Sequence, residues 1–392
     1  MSRNPMQFTW NAPSRVLHVL RNLALAGALI FLAGLFLEPK RTWAGFLMGF
    51  YYLASLAVAG PLFMAFLNLS GGRWARALLR VPEAMSTAMP AAAVLGLILL
   101  WGVPSLYSWA DPGAVAADPI LQHKAVWLNR GAFSFRMVLY FVIWIFLARA
   151  LAARIRSLSH GRILRSSALF IAVFAITWSL ASVDWVLSLD PHWFSTIFGL
   201  YQLAGIGTAG LAAATVLVVM LRRGPLRKVV TEDHLHDLGE LLFCFSIFWV
   251  YIWFCQFMLI WYTNIPEEAG WYAARKIGQW DVLTPVNLVL NWLIPFLVLL
   301  SRAARRSGPV LLRVCGILLI GHTLDLYLQI APAGMESRPL VNIWELGPIL
   351  GALALFFFLA LKGLSRLPSP PAAEAPSGRP LSAPHAGEPH PS

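Results

Sequence analysis

Charge is scarce in this sequence: of 392 residues only 12% are Asp, Glu, Lys or Arg. A soluble domain carries roughly a quarter, so that shortage excludes one. Acids are the scarcer sign, 18 against 30 cations. Cysteine is scarcer still. Cys244, Cys255 and Cys315 all lie in apolar runs, with no CxxC or CxxCH spacing, which leaves no iron–sulfur cluster or covalent haem encoded in the chain. Core packing is the expected role of all three. Histidine at depth is equally rare. Only His322 sits inside an apolar run at membrane depth, and a b-type haem needs axial ligands at depth, so bound haem is not expected.

What is present is apolar length: 58% of the chain is hydrophobic and 17 residues are Trp. At about 20 apolar residues per bilayer crossing, ten spans emerge, near 17–37, 43–67, 84–103, 132–151, 167–189, 196–221, 239–262, 282–301, 309–330 and 343–362. The expectation is an all-α integral membrane protein with ten transmembrane helices. One alternating set of loops and ends, including Arg73, Arg76, Arg80, Arg154, Arg227 and Lys228, holds 22 cations; the other holds 7, and Arg136 lies inside the fourth span. By the positive-inside rule both termini are cytoplasmic. The net charge of +12 therefore reports orientation and membrane lipid, and no nucleic acid is expected as a partner.

Residues 1–16 form a cytoplasmic segment with no small-x-small cleavage pattern, expected to be retained. Residues 363–392 are rich in Pro, Ala and Ser, a composition that cannot bury a core and is expected to be disordered. The loops 104–130 and 263–281 carry Trp109, Trp127, Trp271, Tyr272 and Trp280. They read either as an interfacial aromatic belt or as a docking surface for an extracytoplasmic partner.

An ionisable group in hydrocarbon costs several kcal/mol unless paired or hydrated, which singles out four acids. Asp184 and Asp325 fall near the outer ends of spans five and nine, Glu83 and Glu240 at the cytoplasmic starts of spans three and seven. These positions repeat with an offset of four spans. An offset of four preserves orientation, so the halves 43–189 and 196–330 would be parallel-related four-helix bundles with two flanking helices. His322 and Asp325 are three apart and share a helix face. They read as a polar pair gluing helices, or as a proton-accepting pair beside a quinone or on a proton path. Arg136 is the expected counter-charge of Asp184. Glu345 and His192 complete an outer polar set that is quinone-proximal or part of a proton path, with Glu83 and Glu240 as its cytoplasmic side.

Three segments carry a likeness: SLDPHWFSTIFG (188–199), HKAVWLN (123–129) and DLGELLFCFSIFWVYIWFCQFMLIWYTNIPEE (237–268). Over roughly 20–362 the chain resembles the ActF family, the F-type membrane subunits of bacterial alternative complex III in the NrfD/PsrC superfamily. The resemblance implies spans two to five and six to nine as two bundles, in the inner membrane of a bacterium. It implies an extracytoplasmic iron–sulfur subunit and multihaem cytochrome c subunits as partners, with the sister subunit ActC alongside and the haem c and iron–sulfur clusters on those partners. It also implies that quinol binds mainly in the sister subunit, and that this chain is structural or proton-conducting. Asp190, His192 and Trp193 match the family's outer turn, and Asn264, Pro266, Glu267 and Glu268 its outer loop, which the resemblance makes candidate docking residues. The Pro-rich tail departs from the family pattern.

The reading reached is a cofactor-free membrane subunit of a quinol-oxidising electron-transport complex, with quinone or quinol binding and proton translocation open. Two others stay beside it. One is a stand-alone secondary transporter, although Pro90, Pro295 and Pro348 do not fall in matching positions of the two halves. The other is a quinol-oxidising subunit in its own right.

Overall fold

The computed structural model describes residues 12–71, 78–157, 160–222, 230–276, 280–333 and 342–366. The expectations for residues 1–11, for Arg73, Arg76, Arg223, Arg227, Lys228 and Arg338, and for the tail from 367 lie outside them. Every described element is helical, and ten helices are long and apolar enough to cross a bilayer. They are α1 (Ser14–Leu37), α2 (Pro39–Leu69), α3 (Arg80–Leu106), α4 (Arg130–Arg156), α5 (Gly161–Leu189), α6 (Phe198–Arg222), α7 (Glu232–Thr263), α8 (Trp280–Leu299), α9 (Gly308–Ala333) and α10 (Ile343–Arg366). The protein is an all-α, multi-pass integral membrane protein.

Most helices begin before the apolar run that reveals them, and in α4 and α7 a polar side chain caps the added turn. Thr231 caps α7 reciprocally with His234, and Glu232 and Asp233 occupy the first turn, where acids complement the helix dipole. The α7 helix thus starts seven residues ahead of its apolar window. Asn129 caps α4 by accepting the Ala132 N–H at 2.8 Å.

Helices α2 to α5 pack as one four-helix bundle and α6 to α9 as a second, with α10 laid against α2 and α1 against α10. The bundles meet through α2 and α6, whose apolar windows are 83% buried against 17% for α1. That burial marks them as the inner pair. Without a hydrophobic drive between helices in lipid, close packing has to come from small residues. A side chain on Gly210 of α6 would stand 2.2 Å from the Ala59 methyl of α2, so the seam tolerates nothing larger there. Two hydroxyls cross the same seam: Tyr51 donates to Gln202 Oε1 at 2.9 Å and Tyr52 to the Leu319 carbonyl at 2.8 Å.

Helix α8 runs unbroken but is not α-helical throughout. Pro295 has no N–H for the carbonyl four residues earlier, and Val289–Leu293 form a π-helical turn. The freed Asn291 carbonyl accepts the Ser246 hydroxyl of α7 at 2.8 Å. The cysteines correct one expectation, since only Cys315 is buried; Cys244 is exposed and Cys255 half-buried. Both lie on α7, with side chains turned from its buried face.

Candidate functional site: two membrane-embedded carboxylates

With four spans between them, the described parts of the long loops, 107–129 and 264–276, gather at one end of the molecule, and Asp184 and Asp325 lie close to that end. Asp184 sits where α5 is about to close, its carbonyl taken by the Ser188 hydroxyl. Across from it, Arg136 and Tyr140 stand one turn apart on one face of α4. Arg136 grips both carboxylate oxygens at 2.8 Å, Tyr140 donates at 2.8 Å and the Trp127 indole at 2.9 Å. The guanidinium also lies over the Trp127 ring, 4.1 Å from its centre. Four donors and one opposite charge satisfy this carboxylate. Asp184 is 1% exposed and Arg136 8%, so the pair is sealed.

Asp325 occupies the corresponding place in the second bundle, but its partners differ in kind. The Tyr201 hydroxyl and the Asn287 amide (2.9 Å) donate to one oxygen and the Gln329 amide (3.0 Å) to the other, with the Trp249 indole alongside. Asn287 and Asn291 stand one turn apart on α8 as Arg136 and Tyr140 do on α4. Asn291 donates to Asn287 Oδ1 at 2.7 Å, which turns the Asn287 amide hydrogens toward Asp325. Gly321 makes room for this, since a side chain there would lie 2.7 Å from Asn291 Oδ1. Among the described residues no Arg, Lys or His forms an ion pair with Asp325. Its charge has only neutral company.

From Asp325 a directional chain of hydrogen bonds runs into the first bundle. Tyr51 donates to Gln202, Gln202 to Gln329, and Gln329 to Asp325. All four side chains are buried. Arg275, whose guanidinium reaches the end of the same helix, is taken up elsewhere: it donates to the carbonyls of Leu328 (2.7 Å), Gln329 (3.0 Å) and Trp271 (2.7 Å) and lies over the Trp271 ring. It closes the end of the helix that carries Asp325. Burial pushes this guanidinium down from its ordinary value, and Tyr272, Asp190 and Tyr201 oppose the shift.

His322 shares a face with Asp325 as expected, yet the two do not pair. Its ring meets Tyr52 edge-on at 5.1 Å, and its Nε2 is buried without a hydrogen-bond partner. The polar-pair expectation is corrected because Asn287, Tyr201 and Gln329 already surround the carboxylate. Glu345 is likewise separate. It pairs with Arg41 at 2.8 Å and accepts the Asn342 N–H at 2.9 Å, tying α10 to α2. At the opposite end Glu83 meets Arg156 at 2.5 Å, and Glu240 meets Arg305 at 3.0 Å and His236 at 3.1 Å. These pairs repeat the four-helix offset.

His192 binds Asp118 at 2.6 Å. Asp118 is held below the usual carboxylate range: its partial desolvation is outweighed by the N–H groups of Ile120 and Leu121 and by His192. Asp190 is half-buried and its carbonyl accepts the Trp193 N–H. Trp193 is corrected as a docking residue. It is 2% exposed, stacks on Trp271 at 4.8 Å and donates to the Glu268 carbonyl at 3.1 Å, so it holds two loops together rather than offering a surface. Asn264, at φ 47°, closes α7 in the left-handed region. Pro266 opens the short helix Pro266–Ala274, in whose first turn Glu267 is exposed and Glu268 partly buried.

The sequence reading missed Tyr140, Tyr201, Gln202, Asn287, Asn291 and Gln329. A signal was there, since amides in apolar runs need partners as acids do. No three His, Cys, Asp or Glu side chains among the described residues are grouped to hold a metal ion. No protein-family model matches the sequence, and no curated protein does.

Proposed function

We propose that this chain is an integral membrane subunit of a quinol-oxidising electron-transfer complex of the alternative complex III type, binding no cofactor of its own. In this reading Asp325 is its proton-exchanging group and Asp184 a fixed structural charge. The observation that carries the proton role is the company of Asp325: a carboxyl deep in the protein, hydrogen-bonded by neutral donors alone. Such a group has no counter-cation to lock its charged form, and the Tyr201 hydroxyl against it, able both to donate and to accept, gives a proton somewhere to go. The electron-transfer setting rests on the three segments resembling the ActF family. They bring with them the sister ActC subunit, an extracytoplasmic iron–sulfur subunit and multihaem cytochromes c, with quinone or quinol near the long-loop end.

Isolation of the chain from mild-detergent extracts of bacterial inner membranes tests that setting. Co-purifying c-type haem absorbance and iron–sulfur signals are expected. A homogeneous, colourless oligomer with transport activity would replace this reading by that of a stand-alone secondary transporter. Discontinuous helices frame substrate sites in transporters, whereas the π-helical turn of α8 beside Asp325 leaves that helix unbroken.

The excess of cations at the short-loop end supports a topology with both termini in the cytoplasm. Reporter fusions at Gly161 and Gly270, each with open space around it, are expected to report cytoplasm for the first and the outer compartment for the second. The same side for both would overturn this topology.

A further inference from the structure

Beyond that reading, α3 and α4 enclose a groove that nothing in the proton site uses. It has a volume of about 580 Å³ and runs between Ala93 and Leu97 of α3 and a stripe on α4 made by Val138, Val142, Phe146 and Arg149. Those α4 positions recur at three- and four-residue spacing, so they form one continuous strip. At about 1.5 Å per residue the groove from Met137 to Ala150 is roughly 20 Å long, more than one leaflet of a 30 Å hydrocarbon core. Its apolar side chains Leu97, Val138, Val142 and Phe146 are exposed. It therefore opens to lipid.

The groove ends on charge. Arg149 closes the lining. It is exposed, and among the described residues its side chain makes no hydrogen bond or ion pair. Its neighbour Arg156 is spent on Glu83. An apolar trough leading to a free guanidinium at the end of a membrane helix matches one chemistry: a hydrocarbon chain joined to a phosphate. A partner's transmembrane helix fits less well, because helices approach over Gly, Ala and Ser, whereas Leu, Met, Val and Phe wall this groove.

We infer that the α3–α4 groove is a binding site for an anionic phospholipid, with an acyl chain along Val138, Val142 and Phe146 and its phosphate on Arg149. The full-length chain in detergent, titrated by native mass spectrometry with phosphatidylglycerol and phosphatidylcholine of matched acyl chains, tests this. The wild type is expected to retain phosphatidylglycerol about fivefold more tightly. Arg149→Gln is expected to remove most of that preference; its side chain has no partner whose loss would unfold the protein. Ala93→Phe, which fills the trough, is expected to weaken both lipids. Equal retention of the two lipids by the wild type, or an undiminished preference in Arg149→Gln, overturns the inference. So does cross-linking of Leu97→Cys to another polypeptide in the membrane-extracted complex, which would make the groove a subunit seam.

Discussion

Replacing Asp184 by leucine is expected to destabilise the protein by about 3–5 kcal/mol, the usual consequence of stranding one member of a buried ion pair. The stranded member is Arg136, 8% exposed, which would keep only the Trp127 ring beneath it. Asp184→Asn is expected to fall in the same direction, since the amide keeps the shape but removes the charge. The double variant Arg136→Met, Asp184→Leu removes both charges together, and buried pairs replaced by apolar side chains of similar size are often neutral. It is expected to recover most of the loss, leaving the unpaired Tyr140 hydroxyl and Trp127 indole as the residual defect. Unfolding of the detergent-solubilised protein, followed by tryptophan fluorescence, measures all three. Equal destabilisation by the single and double variants would show that Asp184 acts by something other than its bond to Arg136.

The ten crossings were legible because hydropathy over about 20 residues is a sum, and sums survive local irregularity. The π-helical turn in α8 was not. Pro295 stands in the sequence, but whether a proline bends a helix, breaks it or merely frees a carbonyl depends on a neighbour that can take the carbonyl, here Ser246. The acids were legible because ionised groups are the most expensive to bury; Asn287, Asn291, Gln202 and Gln329 were passed over because a buried amide costs less and is common between membrane helices. His322 and Asp325 were placed together by helix spacing, which fixes a shared face but not where each side chain points. Trp193 was placed on the surface because the resemblance puts it in the family's outer turn. Its stacking on Trp271, nearly 80 residues away, leaves no trace in either segment. The counter-charge Arg136 was found because few cations stand inside apolar runs.

The contrast between the two carboxylates sets a second expected result. Asp325→Asn is expected to leave the protein folded and assembled, because no cation is stranded. The one mismatch, an amide facing the Gln329 amide, can be relieved along the chain. If Gln329 turns to present its oxygen, Gln202 can turn in the same sense and the Tyr51 hydroxyl can accept instead of donate, since amide and hydroxyl groups serve either way. What the substitution removes is the titratable proton. In the intact complex, quinol-dependent turnover or its associated proton release is expected to fall on the order of 100-fold, the scale of a lost positioned acid–base group, with a changed pH profile. Tyr201→Phe removes the hydroxyl nearest the carboxyl and is expected to give a smaller loss in the same direction. Asp184→Asn should show the reverse signature, impaired assembly with a preserved pH profile in whatever complex forms. An assembled Asp325→Asn complex with normal turnover, normal proton release and an unchanged pH profile would falsify the proton-exchange role and reduce Asp325 to a hydrogen-bonded brace between α6, α8 and α9.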